Sequence, residues 1–384
     1  MDDGPRVALT PTDTYQDQPT DEVASVITLA KSQEAEHFAK LMPQYKPTPL
    51  PDAGELTGEL KLASIAIKHE GRRLPTKSFK TLGPPYALAC QLQQRLALTQ
   101  SDLAGLAQGE LKSEVSEYVA CAATSGNHGR ALAWAATQFG CRCRIYLPQA
   151  TGAYREQMIQ RFGAETVRVA GNYDETVEQV VLDSDRDESI VVGDGAPNTE
   201  VIRQIICGYS VVGAELVAQL QSDHAATHVF VPAGSGSLAS GVIFRLWEAF
   251  GSQRPKIVVV QPHSVDSGYH SCLQGQRVPS QGNVETLMDG LAVEELSAEA
   301  WPILKSGAFA FITIAEQVAI STLHRITELA IGETGVAALA GLVAASADGK
   351  ARERLQLDET SRVVVLASEG VTDPPVMERL LAQG

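Results

Sequence analysis

No apolar run in this sequence is long enough to cross a bilayer. The longest, the alanine-rich stretch from Val336 to Ala345, falls short of the ~20 residues a spanning helix needs. Basic charge is also in deficit: 31 Lys and Arg stand against 46 Asp and Glu, a net charge of −15. Phosphate backbones and anionic membrane surfaces are bound by basic faces. Neither nucleic acid nor membrane is therefore an expected partner. Cysteine is sparse, with six residues scattered through 384. The polar, acidic stretch from Met1 to Glu22 lacks the basic start and apolar segment of a secretory signal, and little of it is expected to be ordered. Reduced thiols and a cytoplasmic location are the expectation. Cys141 and Cys143 form a C-x-C pair, but no second Cys/His cluster accompanies them. Two small strand residues are expected there, and no metal.

What is present is a globular composition, 44% hydrophobic, in a chain long enough for two domains. Short β-branched runs alternate with helical ones. Strands are expected at Ser64 to His69, Tyr118 to Ala123, Arg142 to Leu147, Thr166 to Ala170, Ser189 to Val192, His228 to Val231, Lys256 to Gln261 and Arg362 to Leu366. The helical runs include about Arg130 to Gln138, Glu156 to Phe162, Asp174 to Leu182, Ile202 to Leu220, Leu238 to Phe250 and a long one after Gly335. This alternation predicts an α/β protein with parallel sheets and helices on both faces. Such sheets bind ligands beyond the carboxyl ends of their strands, which directs attention to the loops after Ala123, Val231 and Leu366.

Four segments carry candidate chemistry. Pro75-Thr-Lys-Ser-Phe-Lys80 places a lysine past a strand and at the start of a helix, although a lone lysine is ordinarily a surface residue. Ala123-Thr-Ser-Gly-Asn-His-Gly129 is a strand-to-helix turn whose backbone N–H groups can hold a carboxylate, and the Asn127 amide can bond a phenolate-type oxygen. His128 in that turn is read as structural. In Val231-Pro-Ala-Gly234-Ser-Gly236-Ser-Leu238 two glycines allow close backbone approach, and Ser235 and Ser237 add hydroxyls, which suits one phosphate group. The loop has Ala239 in place of the last dinucleotide glycine and no Walker lysine. Ser368, at a strand's carboxyl end, offers a hydroxyl to a ring nitrogen.

Taken together, in this chain order, the segments resemble the fold type II pyridoxal 5′-phosphate (PLP) enzymes, the tryptophan synthase β-subunit and serine–threonine dehydratase superfamily. Within it the chain is most similar to the diaminopropionate ammonia-lyases. That likeness rests on Tyr45-Lys-Pro-Thr-Pro-Leu50, Asn172-Tyr-Asp174-Glu-Thr176, Met288-Asp-Gly-Leu-Ala292, Gly332-Glu333-Thr-Gly335 and Ser368-Glu-Gly-Val-Thr-Asp-Pro374. The resemblance implies two α/β domains with the cofactor in the cleft between them, the larger from 1–84 and 206–384 and the smaller from 85–205. It implies a homodimer acting on a small amino acid. It makes Lys80 the lysine that carries PLP and serves as base. Cofactor contacts are implied from Phe79, Asn127, Gly234, Ser235, Gly236, Ser237, Leu238, Glu333 and Ser368. Substrate contacts are implied from Thr124, Ser125, Gly126 and Asn127.

The implied reaction is α,β-elimination to a 2-oxo acid and ammonia. Hydroxyamino-acid dehydration, β-replacement or racemisation on the same scaffold are alternatives, and a non-enzymatic member is a third reading, against which an intact Lys80 and phosphate loop count. Asp174 is a candidate second acid or base, and a helix N-terminal carboxylate on the plainer reading. Two departures from the family matter. Ser125 stands where the related lyases carry an aspartate implicated in handling D-substrates, so L-substrates are expected. Lys77 replaces a glycine common in the dehydratase motif. With Arg72 and Arg73 it makes the segment basic, which fits either solvated surface charge or a substrate with an extra anionic group.

Overall fold

The structure, a computed structural model, describes residues 4–124, 126–184, 188–193, 198–222 and 225–382. The chain forms two compact units. One comprises Met1–Leu29, Pro47–Arg73 and Val212–Gly384, the other Ala30–Lys46 and Leu74–Val211. The boundaries expected at 84/85 and 205/206 thus fall at 73/74 and 211/212. Residues 30–46 also join the second unit, because Phe38 packs its ring on Tyr86 and Phe139, with centroids 5.8 and 6.1 Å apart.

The described residues form ten strands, numbered in chain order. The first unit holds β1 (Arg6–Leu9), β2 (Ser64–His69), β7 (His228–Pro232), β8 (Lys256–Pro262), β9 (Ala310–Ile314) and β10 (Arg362–Ala367). They form one sheet in the order β1-β9-β8-β7-β10-β2. Five of them run parallel, with β7 and β10 in register through Phe230 and Val365. The exception is β1, antiparallel to β9 at one edge, where Arg6 faces Thr313. The N-terminus is therefore partly ordered, contrary to expectation: Val7 and Ala8 are buried, and four residues suffice for an edge strand that borrows its pairing from β9. The central run Ile257–Val260 is fully buried, as suits a parallel strand covered on both faces. The apolar helix Ala337–Ala347 packs along β7 to β10, and Gly341 brings its backbone close to Val260.

The second unit holds β3 (Val119–Ala123), β4 (Arg142–Pro148), β5 (Glu165–Val169) and β6 (Ser189–Val191), all parallel, in the order β5-β4-β3-β6. Side chains alternate across this sheet. Cys121 and Tyr146 face Val180 of helix Tyr173–Ser184, while Ile145 faces Gly129 of helix Asn127–Phe139. The two helices therefore cover opposite faces. Cys141 and Cys143 are buried, and burial pushes the Cys141 thiol up to about 12. One helix, Thr199–Ser222, holds a stretch that Arg203 and Glu215 keep from being an unbroken apolar run but that is by length and composition apolar enough to cross a membrane, and 78% of it is buried within the protein.

Candidate active site

In the second unit the lysine segment is built as a capped turn. Ser78 is extended and its Oγ accepts from the Lys80 backbone N–H at 3.3 Å, starting a single 3-10 turn over Phe79–Thr81. Thr81 Oγ1 donates to the Ser78 carbonyl at 2.8 Å and shares a hydrogen bond with Thr76 Oγ1. Lys80 Nζ lies 5.2 Å from the Phe79 ring centroid and 5.5 Å from that of Tyr209. Lys77 adopts φ 59°, the left-handed region. That is the conformation a glycine adopts without steric penalty, which accounts for the glycine common at this motif position.

The Asn127 turn follows β3, as expected. Asn127 opens helix Asn127–Phe139, and Thr124 Oγ1 accepts from the Gly126 N–H at 3.3 Å. Buried Arg130, named in the sequence only as the start of a helical run, joins the two segments. Its guanidinium donates to the Thr76 carbonyl at 3.1 Å and to Asn127 Oδ1 at 3.2 Å. Asn127 is thus held by its acceptor end, and its donor end is the one suited to a phenolate oxygen. His128 Nε2 bonds the Val192 carbonyl at 2.7 Å, tying the helix to the end of β6 as a structural histidine does. Ser125 lies outside the described residues, and only the backbone of Asp174 is described, in the first turn of helix Tyr173–Ser184.

In the first unit four of the singled-out segments converge at the carboxyl ends of adjacent strands. The loop Gly234–Leu238 leaves β7, and Ser368 leaves β10 beside it. Gly234 leaves little room for a side chain: a Cβ would lie 3.2 Å from the Gly290 carbonyl oxygen, Leu291 Cα and Val293 Cγ2. Gly236 has φ 90° and begins helix Ser237–Phe250, which no side chain caps. A Cβ on Gly236 would strike Leu304 Cδ1 at 2.6 Å, so its side is turned to the core. Ser235 and Ser237 bring their hydroxyls within 3.3 Å of each other at the helix start. The Met288–Ala292 turn is fixed over the loop by Gly290 N–H donating to Thr334 Oγ1 at 3.1 Å. The Thr334 N–H in turn donates to Glu369 Oε1 at 3.2 Å, and Gly335 lies against the Glu369 carbonyl. Glu333 is buried between these segments in sequence, at 2% exposure.

These residues fit a pyridine phosphate. Ser368 Oγ is buried, with no hydrogen-bond partner among the described residues. A buried hydroxyl left so is costly, and a ring nitrogen is the kind of acceptor or donor that would satisfy it. The loop offers backbone N–H groups at an uncapped helix N-terminus, a ready anion site.

The basic residues near Lys80 divide. Arg72 and Lys77 are exposed. Arg73 is buried, donating to Glu70 Oε2 at 2.5 Å and Oε1 at 2.9 Å and to Glu215 Oε2 at 2.9 Å. Lys68, fully buried, donates to Glu215 Oε2 at 2.6 Å. Burial opposes the Glu215 charge, but Arg73 and Lys68 outweigh it and hold its carboxyl below the usual range. Arg73 is therefore neither solvated nor directed at a substrate, and leaves the basic cluster read from the sequence.

Comparison with known proteins agrees with this geometry. A family model described as pyridoxal-phosphate dependent enzyme matches residues 41–369. A diaminopropionate ammonia-lyase of Salmonella typhimurium is 32% identical over 366 residues, covering 90% of this chain and 91% of that protein. The Escherichia coli K12 protein of the same name is 31% identical, covering 92% and 91%. The crystal structure of the Escherichia coli enzyme in complex with D-serine superposes with a TM-score of 0.88 at 27% identity, covering 99% of this chain and 97% of that one. A threonine deaminase from Solanum lycopersicum shares the fold, with a TM-score of 0.74 at 20% identity over 99% and 98%.

Proposed function

The chain belongs to the pyridoxal-phosphate dependent enzymes, and from that membership we infer that it is an ammonia-lyase acting by α,β-elimination on a small L-amino acid of the 2,3-diaminopropionate kind. Bound PLP supplies an electron-withdrawing group conjugated to the substrate's α-carbon, which makes loss of the α-proton and then of a β-substituent feasible. The chain's own residues do the rest. Lys80 carries the cofactor and its amine takes the α-proton as general base. Phe79 lines the cofactor beside it. The amide of Asn127, oriented by Arg130, donates to the ring oxygen. The N–H groups and hydroxyls of Gly234 to Leu238 hold the phosphate. The turn Thr124 to Asn127, including Ser125 and Gly126, holds the substrate carboxylate. Glu333 is a further cofactor contact, and Asp174 is a second acid or base.

Ser368 decides the type of reaction. A carboxylate at that place would keep the ring nitrogen protonated and strengthen electron withdrawal, whereas a neutral hydroxyl enforces no proton there. The weaker withdrawal favours prompt expulsion of a β-leaving group over reactions that need a long-lived carbanion. The observation that carries the reading is the buried Ser368 Oγ, without a hydrogen-bond partner among the described residues, at the strand end next to the phosphate loop.

Handedness follows from Ser125. The Escherichia coli relative has been crystallised with D-serine; this chain lacks the aspartate of the related lyases, and a serine hydroxyl is a poor base unless activated. We assign L-substrates to it. The working form is a cytoplasmic homodimer, which light scattering checks. The deciding experiment follows ammonia and 2-oxo acid from L-2,3-diaminopropionate. Pyruvate with two ammonia per substrate supports the reading. Turnover confined to serine or threonine, with one ammonia each, replaces it with a dehydratase.

A further inference from the structure

We propose that Tyr209 is a positioning residue for Lys80, its ring and that of Phe79 forming an aromatic clamp that holds the lysine nitrogen while it is positively charged. The inference rests on Lys80 being the cofactor lysine and base. Three observations within one unit carry it. Lys80 Nζ lies 5.2 and 5.5 Å from the two ring centroids, inside the range of a cation–π contact. The rings are themselves locked edge-to-face, centroids 4.8 Å apart at 64°. Tyr209 is fully buried, and its placement is built in by glycine. A Cβ at Gly83 would meet Tyr209 Cε1 at 2.4 Å, and one at Gly208 would meet Gly83 Cα and the Leu82 carbonyl oxygen at 2.7 Å. The helix that carries Tyr209 thus touches the backbone just past Lys80, with no side chain between them, and the ring is delivered to the lysine.

The attraction of a ring face is for the cation, so it acts once the Lys80 nitrogen has taken up a proton. The long lysine stem has much rotamer freedom to lose. Two fixed rings restrict where the charged nitrogen rests, and so where its proton is held for return to the substrate or leaving group.

The test varies the ring's electrons at constant size. Tyr209→Phe keeps the ring, and phenylalanine fluorinated at increasing numbers of ring positions is then incorporated at 209 in the full-length holoenzyme. Tyr209→Phe is expected to retain wild-type kcat within about twofold. Progressive fluorination should lower kcat stepwise, by roughly 2- to 30-fold at the end of the series, with KM little changed. A second readout needs no turnover. In the full chain freed of PLP and reductively methylated with ¹³C, the Lys80 methyl resonance should sit upfield under the two ring currents, and Tyr209→Leu should return it to the common lysine position. A kcat flat across the fluorinated series, or a Lys80 resonance with no ring-current shift, overturns the clamp. These outcomes are separate from failure of the parent reading, in which the wild-type protein would show no PLP bound through Lys80.

Discussion

Ser368→Ala separates the account of the cofactor site from a general claim that the residue is important, because it predicts opposite signs for stability and binding. The Ser368 side chain is buried at 1% exposure, and its Oγ has no hydrogen-bond partner among the described residues. An unsatisfied buried hydroxyl costs about 1–3 kcal/mol relative to an apolar group of similar size. Alanine removes that cost at nearly constant volume, so the PLP-free chain should become more stable by up to that amount. The same substitution deletes the hydrogen bond to the ring nitrogen, a net contribution of about 0.5–1.5 kcal/mol, or roughly 2- to 13-fold in the PLP dissociation constant. Urea titration of the resolved protein measures the first quantity, and recovery of visible absorbance on adding PLP measures the second. A variant that loses stability and binding together would show that Ser368 is held by the fold alone. One that gains stability with unchanged PLP affinity would move the ring nitrogen elsewhere.

Three further predictions follow from particular residues. Lys77 occupies the left-handed region at φ 59°, which costs a side-chain-bearing residue about 1–2 kcal/mol. Lys77→Gly should therefore raise the urea midpoint by about 1 kcal/mol equivalent after glycine's entropy is deducted, and a lower midpoint would contradict this. His228 is held neutral, donating to the Leu355 carbonyl at 2.9 Å, with burial as the main cause of a value lowered to about 4. The unfolded chain takes up a proton below about 6.5 and the folded one does not until about 4. Stability present above 6.5 should thus fall by about 3 kcal/mol across that window, and His228→Gln should flatten the fall; equal slopes in the two proteins would remove His228 as its source. Initial rates on the two enantiomers of a turned-over substrate should strongly favour L. Ser125→Asp should raise the D rate, while comparable wild-type rates on both enantiomers would demand another base.

Much of this was legible in the sequence, and the losses have physical reasons. Strand Ser64–His69 and the strand-to-helix turns at Asn127 and Gly234 announce themselves, because β-branched runs ending in glycine are local signals. β1 was hidden because four residues show no periodicity of their own and depend on pairing with β9, some 300 residues away in sequence. Arg73 read as one of a basic trio although one partner, Glu70, lies three residues before it; its burial and its second partner Glu215, 142 positions on, are set by the fold. Arg130 and Tyr209 were missed because each sits inside an ordinary helical pattern, and only the fold sets one against the Thr76 carbonyl and the other over Lys80. Lys77 is the converse case. Its departure from the family glycine was visible, but its meaning, a positive φ, belongs to the backbone.

The claim on which the rest depends is that Lys80 carries the cofactor. Borohydride reduction of the holoenzyme would fix PLP to its lysine, and peptide mapping by mass spectrometry would then locate it. The account predicts a single label on the peptide containing Lys80, and loss of the visible absorbance in Lys80→Ala. A label on Lys77 or on any other lysine would contradict it.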